Sequence, residues 1–162
     1  MGTSAESQFV TFSLGDELFA VPVQVVREIL DHEDAFKIPH GPDYLLGLRD
    51  VRGQGVPVID LRLRLGMSGT VKTPHTRILV LDVPIGDKEL ALGLVADRVY
   101  EVVPFRSEQI EPAPDIGVRW RSDYIAGVVR GDQSFVVIVD LARLFSDAGH
   151  VLSGVAPSTR VA

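Results

Sequence analysis

The stretch Tyr44–Leu61, YLLGLRDVRGQGVPVIDL, decides the fold because it returns as Tyr124–Leu141, YIAGVVRGDQSFVVIVDL. At an offset of 80, Tyr44, Gly47, Val56, Val58, Ile59, Asp60 and Leu61 recur as Tyr124, Gly127, Val136, Ile138, Val139, Asp140 and Leu141. Upstream, at an offset of 73, Ala20-Val21, Val26, Glu28, Ile29 and Leu30 recur as Gly93-Leu94, Val99, Glu101, Val102 and Val103. The seven extra residues of the second unit fall between Pro104 and Asp123. Two Tyr-x-x-Gly motifs, two Asp-Leu pairs and two Glu positions in one order mark an internal duplication.

Outward from the repeat, apolar residues come in short runs: Phe9–Leu14, Leu18–Val23, Gly55–Leu61, Arg77–Val83, Glu89–Val95, Arg98–Phe105 and Phe135–Val139. Runs of this length are predicted strands. Turn signals separate them at Gly15-Asp16, Arg52-Gly53, Gly66, Ile85-Gly86-Asp87 and Gly131-Asp132, residues that supply positive φ or cap their own backbone. Helices are few. Pro22–Leu30 is predicted to be one, with Val23, Val26, Ile29 and Leu30 on one face and Pro22 in the first turn. A second is predicted from Asp140 to Ala148, capped by Asp140, with Leu141, Leu144, Phe145 and Ala148 at helical spacing.

Each unit then holds about five short strands, too few for an extended sandwich but enough for a small closed barrel that hides its edges. The expected architecture is mainly β: two pseudo-repeated five-stranded barrels sharing a hydrophobic core. Residues 9–149 form one domain with repeat halves of about 9–76 and 77–149, flanked by flexible tails at 1–8 and 150–162.

Composition removes several function classes. With 46% hydrophobic residues the chain can bury a core unaided. Cysteine is absent, which excludes disulfides, thiolate catalysis and cysteine-ligated zinc and suits a reducing cytoplasm. Met1–Ser7 has neither the basic nor the apolar region of a signal peptide. Apolar runs fall far short of the roughly 18 residues a spanning helix needs. Sixteen basic against 22 acidic residues give a net charge of -6, which opposes nucleic acid and anionic lipid as partners. Among the basic residues Arg outnumbers Lys 13 to 3; Arg favours bidentate contacts at protein interfaces, and a GC-rich genome also favours it.

Candidate catalytic sites have plainer explanations. His32, His40, His75 and His150 lack the i,i+3 or i,i+4 pairing of metal ligands. Gly53-Gln54-Gly55 is followed by Val56-Pro57-Val58 rather than a helix and third glycine, so no phosphate cradle is expected. Gly66-Met67-Ser68 continues with Gly69-Thr70, which is not a nucleophile elbow. Asp60 and Asp140 each end an apolar strand and precede Leu, the position of a cap rather than of a carboxylate dyad. No cofactor and no catalysis are expected. Arg49, Arg52, Arg62 and Arg64 crowd around the Asp50–Gly55 turn, where a solvated basic rim and a binding site explain them equally. Arg52 is singled out as an anchor, because a guanidinium immediately before a tight glycine turn is displayed yet constrained. A Glu28–Arg52 pair follows if the predicted first helix packs beside this turn; simple salt-bridging on a helix face explains Glu28 equally.

As a set, these residues resemble the CheW family. The resemblance rests on FVTFSLGDE (9–17), VREI (26–29), GLRDVRG (47–53) with PVIDL (57–61), LGLVADRV (92–99) and EQIEPAP (108–114), and runs from about Phe9 to Phe145. It implies two barrels of the Src-homology-3 type. It also implies a non-catalytic adaptor that couples methyl-accepting chemoreceptors to the histidine kinase CheA, binding the kinase's regulatory domain and the cytoplasmic receptor tip. Carried over by position, Val26, Glu28, Gly47 and Arg52 correspond to the family's interaction region, with Glu28 and Arg52 resembling its surface ion pair. Asp50 departs from the usual Asn, and its charge is expected to compete with Glu28 for Arg52. The implied place is the cytoplasm, at membrane-bound receptor arrays. Coupling in another motility or surface-sensing pathway is the nearest alternative. A small-barrel enzyme would need an enclosed polar pocket, and a nucleic-acid module is opposed by the charge and by 7% aromatic content.

Overall fold

The computed structural model describes residues 5–112, 124–132 and 134–146. In chain order they form β1 (Glu6–Leu14), β2 (Glu17–Pro22), β3 (Val26–Asp31), β4 (Leu45–Val51), β5 (Gln54–Asp60), α1 (Leu61–Arg64), β6 (Arg77–Ile85), β7 (Lys88–Ala96), β8 (Arg98–Arg106), β9 (Ile110–Glu111), β10 (Ile125–Arg130), β11 (Phe135–Val139) and α2 (Leu141–Ser146). All seven predicted strands are present, joined by β3, β4, β9 and β10.

The helix expected over Pro22–Leu30 is corrected. A single 3-10 turn at Val23–Val25 leads into β3, where Val26, Glu28 and Leu30 are half-buried and Arg27, Ile29 and Asp31 exposed. That two-residue alternation is a strand pattern. Val23, Val25, Val26 and Ile29 are β-branched and stiff in a helix, and β6 offers β3 an antiparallel partner from Val26↔Leu81 to Asp31↔Arg77. The helix predicted from Asp140 is present as α2, with Asp140 Oδ1 accepting the Arg143 amide at 3.0 Å; Ala148 lies outside the described residues.

The strands form two sheets, ordered β8-β1-β2-β11-β10-β9 and β3-β6-β7-β5-β4. Both bend back on themselves. β8 continues through a 3-10 turn at Ser107–Gln109 into β9, so one run of chain pairs with β1 at one end and β10 at the other. In the second sheet the chain leaving β3 returns to β4 through a bridge between Phe36 and Leu48. The sequence repeat is visible in the register. The parallel pair β5·β7 sets Val58 against Gly93, and β11·β2 sets the equivalent Ile138 against the equivalent Ala20. A bulge follows Leu45 and another follows Ile125, and the Tyr44 and Tyr124 carbonyls accept the Asp60 and Asp140 amides at 2.8 and 2.9 Å.

The two sheets do not follow the repeat boundary near residue 76. β1 and β2 join the later strands of the second half, while β6 and β7 join the later strands of the first. Both faces of several strands are consequently buried, which accounts for their unbroken apolar sequences. In β6, Leu79, Leu81 and Val83 enter a core between the barrels with Phe12, Phe19, Ile59, Leu94 and Phe145, whereas Ile78 and Val80 fill one barrel with Val56, Val58 and Val95. Phe9, Ala20, Val129 and Ile138 fill the other. Arg64 ties the halves together: its guanidinium lies 5.3 and 5.0 Å from the Tyr44 and Tyr124 ring centroids and donates to the Leu144 carbonyl at 2.6 Å.

Because four strand pairs join the halves, they are expected to unfold together. Leu79→Ala should lower stability by about 2–5 kcal/mol in a single denaturant transition reported alike by near-UV and far-UV circular dichroism. Two separate transitions would contradict the shared core.

Candidate functional site

The β4–β5 hairpin is closed by Arg52 and Gly53, both left-handed, with φ of 53° and 84°, between the paired residues Val51 and Gln54. Two successive positive φ values make the tight hairpin turn whose twist matches its strands. Glycine meets that demand easily; Arg52 is held there against its preference. The Asp50 carboxylate helps, with Oδ1 accepting the Gly53 amide at 2.9 Å. This corrects the expectation that Asp50 competes for Arg52: its carboxylate serves the turn's backbone.

Arg52 instead reaches β3. Its Nε donates to Glu28 Oε2 at 3.1 Å and its Nη2 to Glu28 Oε1 at 3.3 Å, a fork on a carboxylate. Glu28 is a strand residue here, not a helix residue, and the pair forms all the same. Four-fifths of the Arg52 side chain is exposed against one-fifth of Glu28. Hydrogen bonding to Glu28, then its charge, holds the Arg52 pKa above the ordinary guanidinium value.

β3 and β4 are the two ends of their sheet, so this pair bridges the seam of the barrel. Other side chains cross it too. Arg27 Nη1 donates to Gln54 Oε1 at 3.0 Å, while its Nε donates to Asp82 Oδ2 at 3.1 Å. Arg49 Nη1 donates to the Asp31 carbonyl at 2.6 Å, and its Nη2 lies 3.3 Å from Glu33. Arg27 is freed for this task by a register shift between Val26 and Glu28, a bulge that re-aims the side chain.

Of the four residues singled out in the sequence, Glu28 and Arg52 touch each other. Gly47 and Val26 have other roles. Gly47 has φ +146°, and a Cβ there would stand 2.2 Å from the Phe36 carbonyl oxygen and 3.1 Å from Lys37 Cα. Its lack of a side chain lets the closing segment lie against β4. Gly127 is crowded likewise, by Ile110 and Glu111. Val26 is half-buried opposite Leu81 and packs on the shared core. Arg27, Gln54, Asp82 and Phe36 were not singled out as site residues in the sequence; a bulge has no sequence signal, but Phe36 just after the polar run Asp31–Asp34 was a readable one.

Asp60 and Asp140 are caps. Asp60 Oδ1 accepts the Leu63 amide at 3.3 Å and the Thr70 hydroxyl at 3.0 Å, and its Oδ2 accepts the Thr70 amide at 2.9 Å. Among the described residues no group of three or more His, Asp or Glu is placed to hold a metal ion, and no helix is long and apolar enough to cross a membrane. Burial first, then the Lys72 charge, lowers the His32 pKa from 6.5. His150 lies outside the described residues.

Comparison with known proteins points one way. A family model described as a CheW-like domain matches residues 8–149. The chain is 30% identical over 145 residues to the chemotaxis protein CheW of Klebsiella aerogenes, covering 90% of this chain and 85% of that protein. It is 30% identical over 146 residues to protein FrzA of Myxococcus xanthus, covering 88% of each. Among solved structures it resembles the crystal structure of scaffolding protein TtCheW from Thermoanaerobacter tengcongensis, with a TM-score of 0.76, 30% identity, and coverage of 88% of this chain and 90% of that one.

The steric role of Gly47 is open to test. Gly47→Ala should cost about 1–3 kcal/mol or more by forcing the Phe36 backbone off β4, measured by urea denaturation. Unchanged stability would show that this approach is not constrained.

Proposed function

The chain belongs to the CheW-like family, and from that we propose that it is a non-catalytic adaptor coupling methyl-accepting chemoreceptors to the histidine kinase CheA. The observation that carries this is the CheW-like match over residues 8–149, and the Arg52 fork is where we place the kinase contact. A mostly exposed guanidinium is fixed by a left-handed turn and two hydrogen bonds to Glu28, so a partner meets it with its rotamers already restricted. An exposed ion pair adds little to folding. Its value lies in orienting a contact.

The kinase's regulatory domain docks on the seam that carries Val26, Glu28, Gly47 and Arg52. The receptor tip takes the groove between the barrels. In support, Ile29 of β3 and Tyr100 of β8, one strand from each barrel, are 44% and 49% exposed and line a common depression with Val99 and the polar side chains of His75, Arg77 and Arg98. An amphipathic receptor helix fits such a groove. The adaptor acts in the cytoplasm, recruited to membrane-bound receptor arrays. Receptor state then biases kinase activity through contacts that differ in strength between states, and the adaptor itself performs no reaction. Repetition of individually weak contacts across an array supplies avidity.

Coupling in another motility or surface-sensing pathway is the second reading. It is favoured by the similarity to protein FrzA, which is as identical to this chain as the Klebsiella aerogenes protein is and covers a similar share of it. The two readings differ in the receptors and kinase served, not in the site.

A pulldown with the cognate kinase regulatory domain and a receptor cytoplasmic fragment tests the proposal. Wild type should retain both, and Arg52→Ala, with an unchanged melting temperature, should lose most of the kinase domain. Retention of neither by wild type would refute the adaptor function; unweakened binding by Arg52→Ala would remove Arg52 as an anchor.

A further inference from the structure

Phe36 leaves 75% of its surface to solvent, although its backbone is tied to β4 by an isolated bridge. Its amide donates to the Leu48 carbonyl at 2.7 Å, and its carbonyl accepts the Leu48 amide at 2.8 Å. Gly47 lies directly beneath, with no side chain to push this segment away. The ring therefore projects into water from a backbone position tied to β4, without filling any of the three core clusters. An exposed aromatic carried on a hydrogen-bonded backbone has the properties of an interface hot spot, because it buries a large area with few rotatable bonds to order.

The surroundings sharpen this. Charges along the seam are satisfied within the chain: Arg27 by Asp82 and Gln54, Glu28 by Arg52, Arg49 by Glu33 and the Asp31 carbonyl. Such a rim gives orientation more than affinity, so the apolar contribution must come from elsewhere on the surface. Leu48, the partner of Phe36, is four residues from Arg52 along the chain, or about 13 Å of strand. A standard interface of about 800 Å² per partner is roughly 32 Å across if circular. Both residues fit within one footprint.

We propose that Phe36 is the apolar anchor of the kinase-docking surface, entering a hydrophobic pocket on the regulatory domain while Arg52 fixes the orientation. This rests on the adaptor reading. It also gives Gly47 a function beyond folding: Gly47 seats the segment that presents the ring.

Titration calorimetry of the full chain against the cognate kinase regulatory domain, and separately against a receptor cytoplasmic fragment, tests it with Phe36→Ser, Phe36→Leu and Arg52→Ala. Phe36→Ser should raise the Kd for the kinase domain at least tenfold, about 1.4 kcal/mol, with receptor affinity and melting temperature unchanged. Phe36→Leu should recover most of the loss. If Phe36→Ser binds the kinase domain like wild type while Arg52→Ala is weakened, the anchor is overturned and the adaptor reading stands. Loss confined to the receptor fragment, or a fall in melting temperature, also overturns it, by assigning the ring to the other partner or to the fold. Wild type that binds neither partner defeats both proposals.

Discussion

The parallel pairings of β5 with β7 and of β11 with β2 are the constraint on which the rest depends. Each joins a late strand of one repeat half to an early strand of the other, so neither barrel can be completed by consecutive chain. The exchange buries both faces of β6 and β7 and puts Leu79, Leu81, Leu92 and Leu94 in a core common to the two barrels. Arg64, between Tyr44 and Tyr124 and bonded to the carbonyl of its own repeat equivalent Leu144, closes the same junction with polar contacts. An adaptor requires that two surfaces keep a fixed relation, and a core shared in this way provides one.

The seam of the first barrel follows from the same arrangement. With β3 and β4 at opposite ends of one sheet, their meeting is held by the Phe36–Leu48 bridge and by side chains rather than by a full ladder. Of the side chains that stitch it, Arg52 is mostly exposed while Glu28 and Arg49 are largely covered, and under the proposed function the same set serves structure and recognition together. In the second barrel the equivalent place is occupied by β9 paired with β10, and Arg130 is joined there to Glu111 at 2.8 Å. The duplication has thus kept the framework while the two seams have diverged.

Much of this was legible in the sequence. The repeat offsets reappear as equivalent registers, the apolar runs as strands, and Asp60 and Asp140 as caps. Pro22–Leu30 misled because Val, Ile and Leu at helical spacing also suit a strand, and β6 decided between them from far along the chain. β4 was hidden because Gly47, Arg49 and Asp50 interrupt its apolar character. The Glu28–Arg52 pair was foreseen from position but on the wrong element. The Arg27 contacts depend on a bulge and on Asp82, 55 residues away, and no local pattern announces them. That exchange of strands between halves was likewise invisible, since a repeat reports similarity and not partnership.

The central claim is that this chain bridges two partners without chemistry of its own. Its most direct test is co-sedimentation of the cognate kinase with receptor-containing membranes, with and without the chain and in the absence of nucleotide. The account predicts that the kinase sediments when the chain is present and stays in solution when it is omitted. Kinase recovery that does not depend on the chain would contradict it.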